Sequence, residues 1–378
     1  MKIQIFKPKY RIDECLEQIR ECLEMGWTGM GFKTEKIEEE WKEYTKLPNA
    51  HFLSSATAGL HLSLEILKDE FNWSDGDEVI TTPLTFVSTG HSIIHAKLKP
   101  KFIDIDKYLC LDPDLISKNI SKKTRAVIFV GLGGNVGQLS KAIEICKVNN
   151  LKLILDAAHM AGTQFLNNHV GRNVDVSVFS FQAVKNLPTA DSGMICFNDK
   201  KLDLKARKMS WLGISKDTFS RSTNEGNYKW KYDVEEVGYK YHGNSIMASL
   251  ALVGLKYLDQ DNEYRRKLCS LYEDKLRDIS EIEIVPISKD CLSSRHLFQI
   301  RLPKRDEVLD FLYSQDIYPG VHYIDNTEYG VYGVSDELCP NARHASNEII
   351  SLPLHLALVE EDVDRIVNCI KKAVGDML

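Results

Sequence analysis

The chain lacks any apolar run near the ~18 residues that a bilayer-crossing helix needs, so no membrane span is expected. Its first residues, MKIQIFKPKY, lack the apolar core of a secretory leader. It lacks an excess of positive charge: 48 Lys and Arg stand against 54 Asp and Glu, a formal net charge of −6. That balance argues against a protein that coats nucleic acid through a bulk basic surface. The nine cysteines, an odd number, include no CxxC pair and no His/Cys cluster. A structural zinc centre and a disulfide framework are therefore not expected, and reduced thiols in a cytoplasm fit. Repeats, low-complexity segments, a Walker loop and a GxGxxG fingerprint are also missing. What remains is a chain of 378 residues, 43% hydrophobic and 27% charged, the balance of a globular protein with a sizeable core. Its length allows two or three domains.

Residues 13–25 read as a helix capped by Asp13, with Cys15, Leu16, Ile19, Cys22 and Leu23 on one face. A Gly-rich break, GWTGMGF, precedes a charged helix over 33–44. Short apolar runs then alternate with helical stretches. HFLSS, EVITTP, PKFIDID, RAVIFVG, LKLILDAA, VSVFSF and GMICF read as strands, with helices over 56–69, 87–95 and 140–148 between them. Strands apolar on both faces that alternate with helices predict a mostly parallel sheet covered on both sides, an α/β fold. Residues 200–260 read as a connecting region, rich in aromatic and charged residues (KWKYDVEEVGYKYH), that ends in a helix over 245–258. A second helix, 262–279, is expected to lead into a smaller C-terminal α/β unit built on RHLFQIRL, EVLDFLYSQ and GVHY and closed by a helix over 360–373. The expected division is a large domain over 1–260 and a small one over 261–378.

Ligands of open parallel sheets bind at the carboxyl ends of the strands, so polar residues there come first. In SSATAGLHLSL, Ser55 and Thr57 sit where a strand meets a helix, and a helix N-terminus with hydroxyls can hold a phosphate. The plainer reading is a helix cap. In LKLILDAAHMAG, Asp156 ends an apolar run and His159 follows. A carboxylate there can hold a protonated ring nitrogen; a cap and a core histidine are the plainer readings. In VSVFSFQAVKNL, Lys185 lies in a loop after an apolar strand that ends at Ser180. Desolvation can strip such a lysine of its proton and make it a nucleophile toward a carbonyl. Phe86 follows Pro83 at another strand end, either a core aromatic or a platform for a flat ligand. One chemistry explains all four: a carbonyl-bearing cofactor that also carries a phosphate and a ring nitrogen. Pyridoxal 5'-phosphate (PLP) is that cofactor.

Across nearly its whole length the chain also resembles the DegT-type (StrS-like) sugar aminotransferases of the aspartate-aminotransferase fold, fold type I. The resemblance is carried by SSATAGLHLSL, GDEVITTPLTFVSTGHSII, LILDAAHMAG, SVFSFQAVKNL, GYKYHGNSIMASLALVGLKYLD, GVHY and ISLPLHLALVEEDVDRIVNCI. It implies that Lys185 forms the Schiff base and shuttles protons, Asp156 holds the pyridine nitrogen and His159 touches the ring-hydroxyl side. Ser55, Ala56, Thr57 and Ser180 would hold the phosphate, and Phe86 would stack on the ring. Gln182, His322 and Tyr323 would face the substrate. The resemblance further implies a cytoplasmic homodimer in which Lys240 and Asn244 reach the neighbouring site. L-glutamate would be the amino donor, through a pyridoxamine form, and a nucleotide-linked keto-deoxysugar the acceptor. A small phosphorylated ketone, a sugar dehydratase and a non-catalytic relative are the alternatives. The chain departs from the family pattern at GLGGN, where Gly131 and Gly133 stand for bulky polar residues, at Ala190–Gly193, and at Lys240. These departures are expected to reshape the substrate wall.

Overall fold

The structure is a computed structural model that describes residues 2–214, 233–333 and 338–377; the KWKY part of the connecting region lies outside the described residues. Seven strands form the central sheet: β1 (His51–Leu53), β2 (Glu78–Thr81), β3 (Lys99–Phe102), β4 (Thr124–Val130), β5 (Lys152–Asp156), β6 (Val176–Ser180) and β7 (Gly193–Phe197). Their spatial order is β1-β7-β6-β5-β4-β2-β3. Every neighbouring pair is parallel except those of β7, which runs antiparallel to β6 and β1. Successive strand side chains point to opposite faces, and both faces are buried. On β4, Val127 and Phe129 enter one core with Trp41 and Phe179, while Ala126 and Ile128 enter another with Val178 and Phe197.

Helices α1 (Ile12–Glu24), α2 (Phe32–Thr45), α3 (Ala56–Glu70), α4 (Val87–His95), α5 (Pro113–Asn119), α6 (Leu139–Val148) and α7 (Lys200–Ser210) accompany the sheet. Asp13 lies inside α1 instead of capping it, and of the expected apolar face only Cys15 and Cys22 are buried. Leu16 and Leu23 are exposed. All nine cysteines are free.

The expected pair of helices after residue 244 is one helix, α8 (Ser245–Leu276), 32 residues long. No proline or glycine interrupts it after Gly254, and Asp261 and Asn262 are held by side-chain bonds instead of ending a helix. Its first half packs Leu252 and Leu258 into the large core, and its second half packs Leu268 and Tyr272 into a separate core. That second core is covered by a three-stranded antiparallel sheet, β8 (Glu283–Ile284), β9 (Phe298–Arg301) and β10 (Ile349–Leu352), and by α9 (Arg305–Ser314) and α11 (Glu360–Met377). Between α9 and β10 lies α10 (Pro340–Glu348). GVHY is not a strand: only Gly320 makes a bridge, to Ser351. Ile3 and Gln4 pair with Ile317 and Tyr318, so the chain's start belongs to the small unit. Among the described residues no helix is long and apolar enough to cross a membrane.

Candidate active site

The carboxyl ends of β1, β2, β4, β5 and β6 open into one cavity of about 430 Å³, closed on its far side by residues of the small unit. Ser55, Ala56, Thr57, Phe86, Asp156, His159, Ser180, Gln182, Lys185, His322 and Tyr323 all line it. A larger cleft, near 750 Å³, lies against α2 and α7. Its charges are satisfied by one another, Arg207 by Glu38 and Asp203, and Lys208 by Glu235.

At one end of the cavity, α3 begins immediately after β1. Ser55 caps it, accepting a hydrogen bond from the Ala58 N–H at 3.1 Å. The first backbone N–H groups of the helix, at Ala56 and Thr57, have no intrahelical acceptor and carry the positive end of the dipole. Gly193 stands behind this turn: a Cβ there would lie 2.7 Å from the Ala56 nitrogen. The chain can bring α3 against β7 only because that position has no side chain.

At the other end, Asp156 closes β5 and is 4% exposed. Its carboxylate accepts from the Thr89 hydroxyl at 2.8 Å and from the Ala158 N–H at 3.2 Å. Among the described residues no cation lies within ion-pair distance of it. Burial raises its pKa, against the pull of Thr89, Ala158 and Lys185. Lys185 answers in kind: burial pulls its ammonium down to about 8, while Asp156 pulls it up. Its amine is thus partly unprotonated near neutral pH, the state a nucleophile needs.

His159 is buried and held neutral by desolvation and by Lys185. Its Nδ1 accepts from the Gly133 N–H at 3.1 Å, which leaves the proton on Nε2, 3.3 Å from the Tyr323 hydroxyl. Tyr323 also meets the Phe86 ring at 5.9 Å, and Phe86 is 57% exposed. His322, pushed down to about 4 by burial, is fixed by Ser351 at 3.0 Å.

Two expected residues stand apart from the cavity within this chain. Asn244 caps α8 through Met247 N–H at 3.0 Å, and Lys240 lies 3.4 Å over the Trp211 ring. The glycine departures also read differently in three dimensions. A Cβ on Gly131 would strike Met160 Sδ at 2.0 Å, so Met160 fills that wall and no void is left. Gly133 takes a positive φ of 65° and uses its N–H to orient His159.

Sequence reasoning missed Thr89, Phe6 and His296. Thr89 was legible as the residue one turn into α4 after Phe86. His296 and Phe6 come from distant parts of the chain, with no local signal.

The family model of the DegT/DnrJ/EryC1/StrS aminotransferases matches residues 10–371. The chain is 31% identical over 373 residues to the spore coat polysaccharide biosynthesis protein SpsC of Bacillus subtilis, covering 96% of this chain and 94% of that one. Among solved structures it is similar to the aminotransferase TlmJ of Streptoalloteichus hindustanus, with a TM-score of 0.91, 28% identity and 99% of both chains covered. It is also similar to Helicobacter pylori PseC, an aminotransferase involved in the biosynthesis of pseudoaminic acid, with a TM-score of 0.91, 26% identity and 100% of both chains covered.

Proposed function

Since the chain belongs to the DegT/DnrJ/EryC1/StrS aminotransferase family, a PLP-dependent family of sugar or polysaccharide biosynthesis, we propose that it transfers the amino group of L-glutamate to the keto group of a nucleotide-linked deoxysugar. When bound, PLP supplies a carbonyl for the amine and an electron sink for the carbon that loses its proton.

The donor set of the cavity fits this cofactor. A buried carboxylate without a cationic partner suits a protonated ring nitrogen, and the N-terminus of α3 with Thr57 and Ser180 suits a phosphate. Asp156 would hold the ring nitrogen, Phe86 would cover the ring, and Ser55 would keep the phosphate turn in place through its cap. Lys185 would hold the cofactor and then move the proton between donor or acceptor carbon and cofactor carbon, as general base and acid. His159, neutral and fixed in one tautomer, would face the ring hydroxyl; Gln182, His322 and Tyr323 would face the substrate. The observation that carries the reading is Lys185, its ammonium pulled down to about 8 by desolvation, in the same cavity as Asp156 and the N-terminus of α3.

The small keto-phosphate alternative rests on a wall opened by Gly131 and Gly133, and Met160 already occupies the space beside Gly131. Dehydratases of this fold carry a histidine in place of the Schiff-base lysine, so Lys185 speaks against that alternative. A large domain over 1–260, apart from the first residues that pair with the small unit, a small domain over 261–378, a cytoplasmic location and a homodimer belong to the same proposal. Lys240, which pairs with no carboxylate among the described residues, and Asn244 would serve the partner's cavity. Glutamate should convert the visible spectrum of the loaded protein to that of the pyridoxamine form and release 2-oxoglutarate. An unchanged spectrum with every amino donor would refute the proposal. Hybrids of Lys185→Ala and Asn244→Ala subunits should regain turnover that neither variant shows alone; inactive hybrids would remove the cross-subunit role.

A further inference from the structure

Asn186 directly follows Lys185, and its side-chain amide is fixed. Its Nδ2 donates to Asn262 Oδ1 at 2.8 Å and to the Ser294 carbonyl at 2.7 Å. Its Oδ1 can only accept, and what faces it is Nδ1 of His296 at 3.0 Å. The proton of His296 is therefore on Nδ1, and the lone pair of the neutral ring is on Nε2. Burial, with the nearby Lys185 and His159, keeps this ring neutral.

The ring cannot turn freely. Phe6 stacks on it with centroids 5.4 Å apart and planes 8° apart, and His159 lies on it at 4.3 Å. His296 is 3% exposed, and what remains open belongs to the cavity it lines with Lys185. Among the described residues its Nε2 has no hydrogen-bond partner. His159 already uses both ring nitrogens, on Gly133 and Tyr323, and His322 uses its Nδ1 on Ser351. A fixed, uncharged acceptor among aromatic faces matches an alcohol O–H. It repels the lone pairs of a carboxylate or a phosphate.

We propose that His296 is a specificity-determining residue, whose Nε2 accepts a hydrogen bond from a ring hydroxyl of the keto acceptor and so orients the keto carbon toward Lys185. This rests on the aminotransferase reading above. The test uses the full chain loaded with its cofactor, glutamate, and a panel of UDP- and dTDP-linked 4-keto-6-deoxyhexoses with deoxy analogues. The donor step is followed alone by the spectral change with glutamate, and its absence in the parent protein would defeat the aminotransferase reading separately. Binding of each panel member to the pyridoxamine form is measured by calorimetry, and its amination in a single turnover.

His296→Asn places an amide N–H where Nδ1 was and keeps the bond to Asn186, but has no acceptor at Nε2. His296→Gln places an acceptor at Nε2. The expected result is that His296→Asn weakens acceptor binding about 10–100-fold, the range of one lost buried hydrogen bond. The donor step should slow far less, and His296→Gln should recover most of the binding. One deoxy analogue should bind the parent as weakly as the intact sugar binds His296→Asn, with no further loss when both changes are combined. Equal losses in both steps overturn the assignment. So does a His296→Asn variant that binds the panel like the parent, or a parent that binds no panel member better than its deoxy analogues.

Discussion

Lys185 and Asp156 show how burial sets two opposing titrations against each other. Desolvation disfavours charge on both, so the lysine is lowered and the acid raised, and each partly restores the other. Capture of added PLP by the cofactor-free protein needs the neutral amine. The capture rate should therefore rise with pH up to about 8 and level off above it, which stopped-flow absorbance can follow. A rate flat from pH 6 to 9 would contradict the shift. Thr89 is the side-chain donor to Asp156, and it accepts in turn from Thr85 at 3.0 Å. Thr89→Val removes a hydrogen bond to a charged group, ~1.5–3 kcal/mol. The cofactor should then be held roughly 10–100-fold less tightly in a fluorescence titration, with the fold unchanged by circular dichroism.

The strand-end pattern was the most legible element. Asp156, Ser180 and the SSATAG turn each end an apolar run, and the structure brings those ends to one cavity. The extent of α4 was also readable, because its residues interact locally. The direction of β7 was not, since nothing in GMICF says whether a strand runs parallel or antiparallel. Nor was the single helix α8, because Asp261 and Asn262 look like helix-ending residues until Arg11 and Ala161 are seen to hold them. His296 was invisible because its meaning depends on Phe6, Asn186 and His159, which approach it only in the folded chain. At this scale the start of α3 offers a test. Ser55→Ala should cost about 1 kcal/mol, the usual value of a lost cap, read as a lower urea midpoint. Gly193→Ala should instead act on the cofactor. Its methyl would meet backbone atoms, Ala56 N at 2.7 Å and Phe179 O at 2.8 Å, so the phosphate turn must move. Cofactor affinity should fall more in Gly193→Ala than in Ser55→Ala; the reverse order would contradict this geometry.

Among the described residues, four buried histidines, His159, His169, His296 and His355, and the half-buried His322 are kept neutral by desolvation. In the unfolded chain each binds a proton below ~6.5. In the native state His169, His322 and His355 do so only near 4, and His159 and His296 titrate well below 6.5. The unfolded state therefore holds more protons within that window. Stability should fall as pH drops from 6.5 toward 4, by about 1.4 kcal/mol per pH unit for each uncompensated proton. Urea midpoints taken at pH 7, 6 and 5 check this, and a constant midpoint would speak against buried neutral histidines. Helix α8 has a different consequence, for recombination. Because its two halves serve separate cores, a crossover near residue 260 would keep each half-helix with the core of its own parent. A junction in the loop 277–282 would instead set one parent's Leu268 and Tyr272 into the other's small core, so chimeras of family members should tolerate a junction near 260 better, provided that the first few residues travel with the C-terminal parent, whose Ile317 and Tyr318 they pair with.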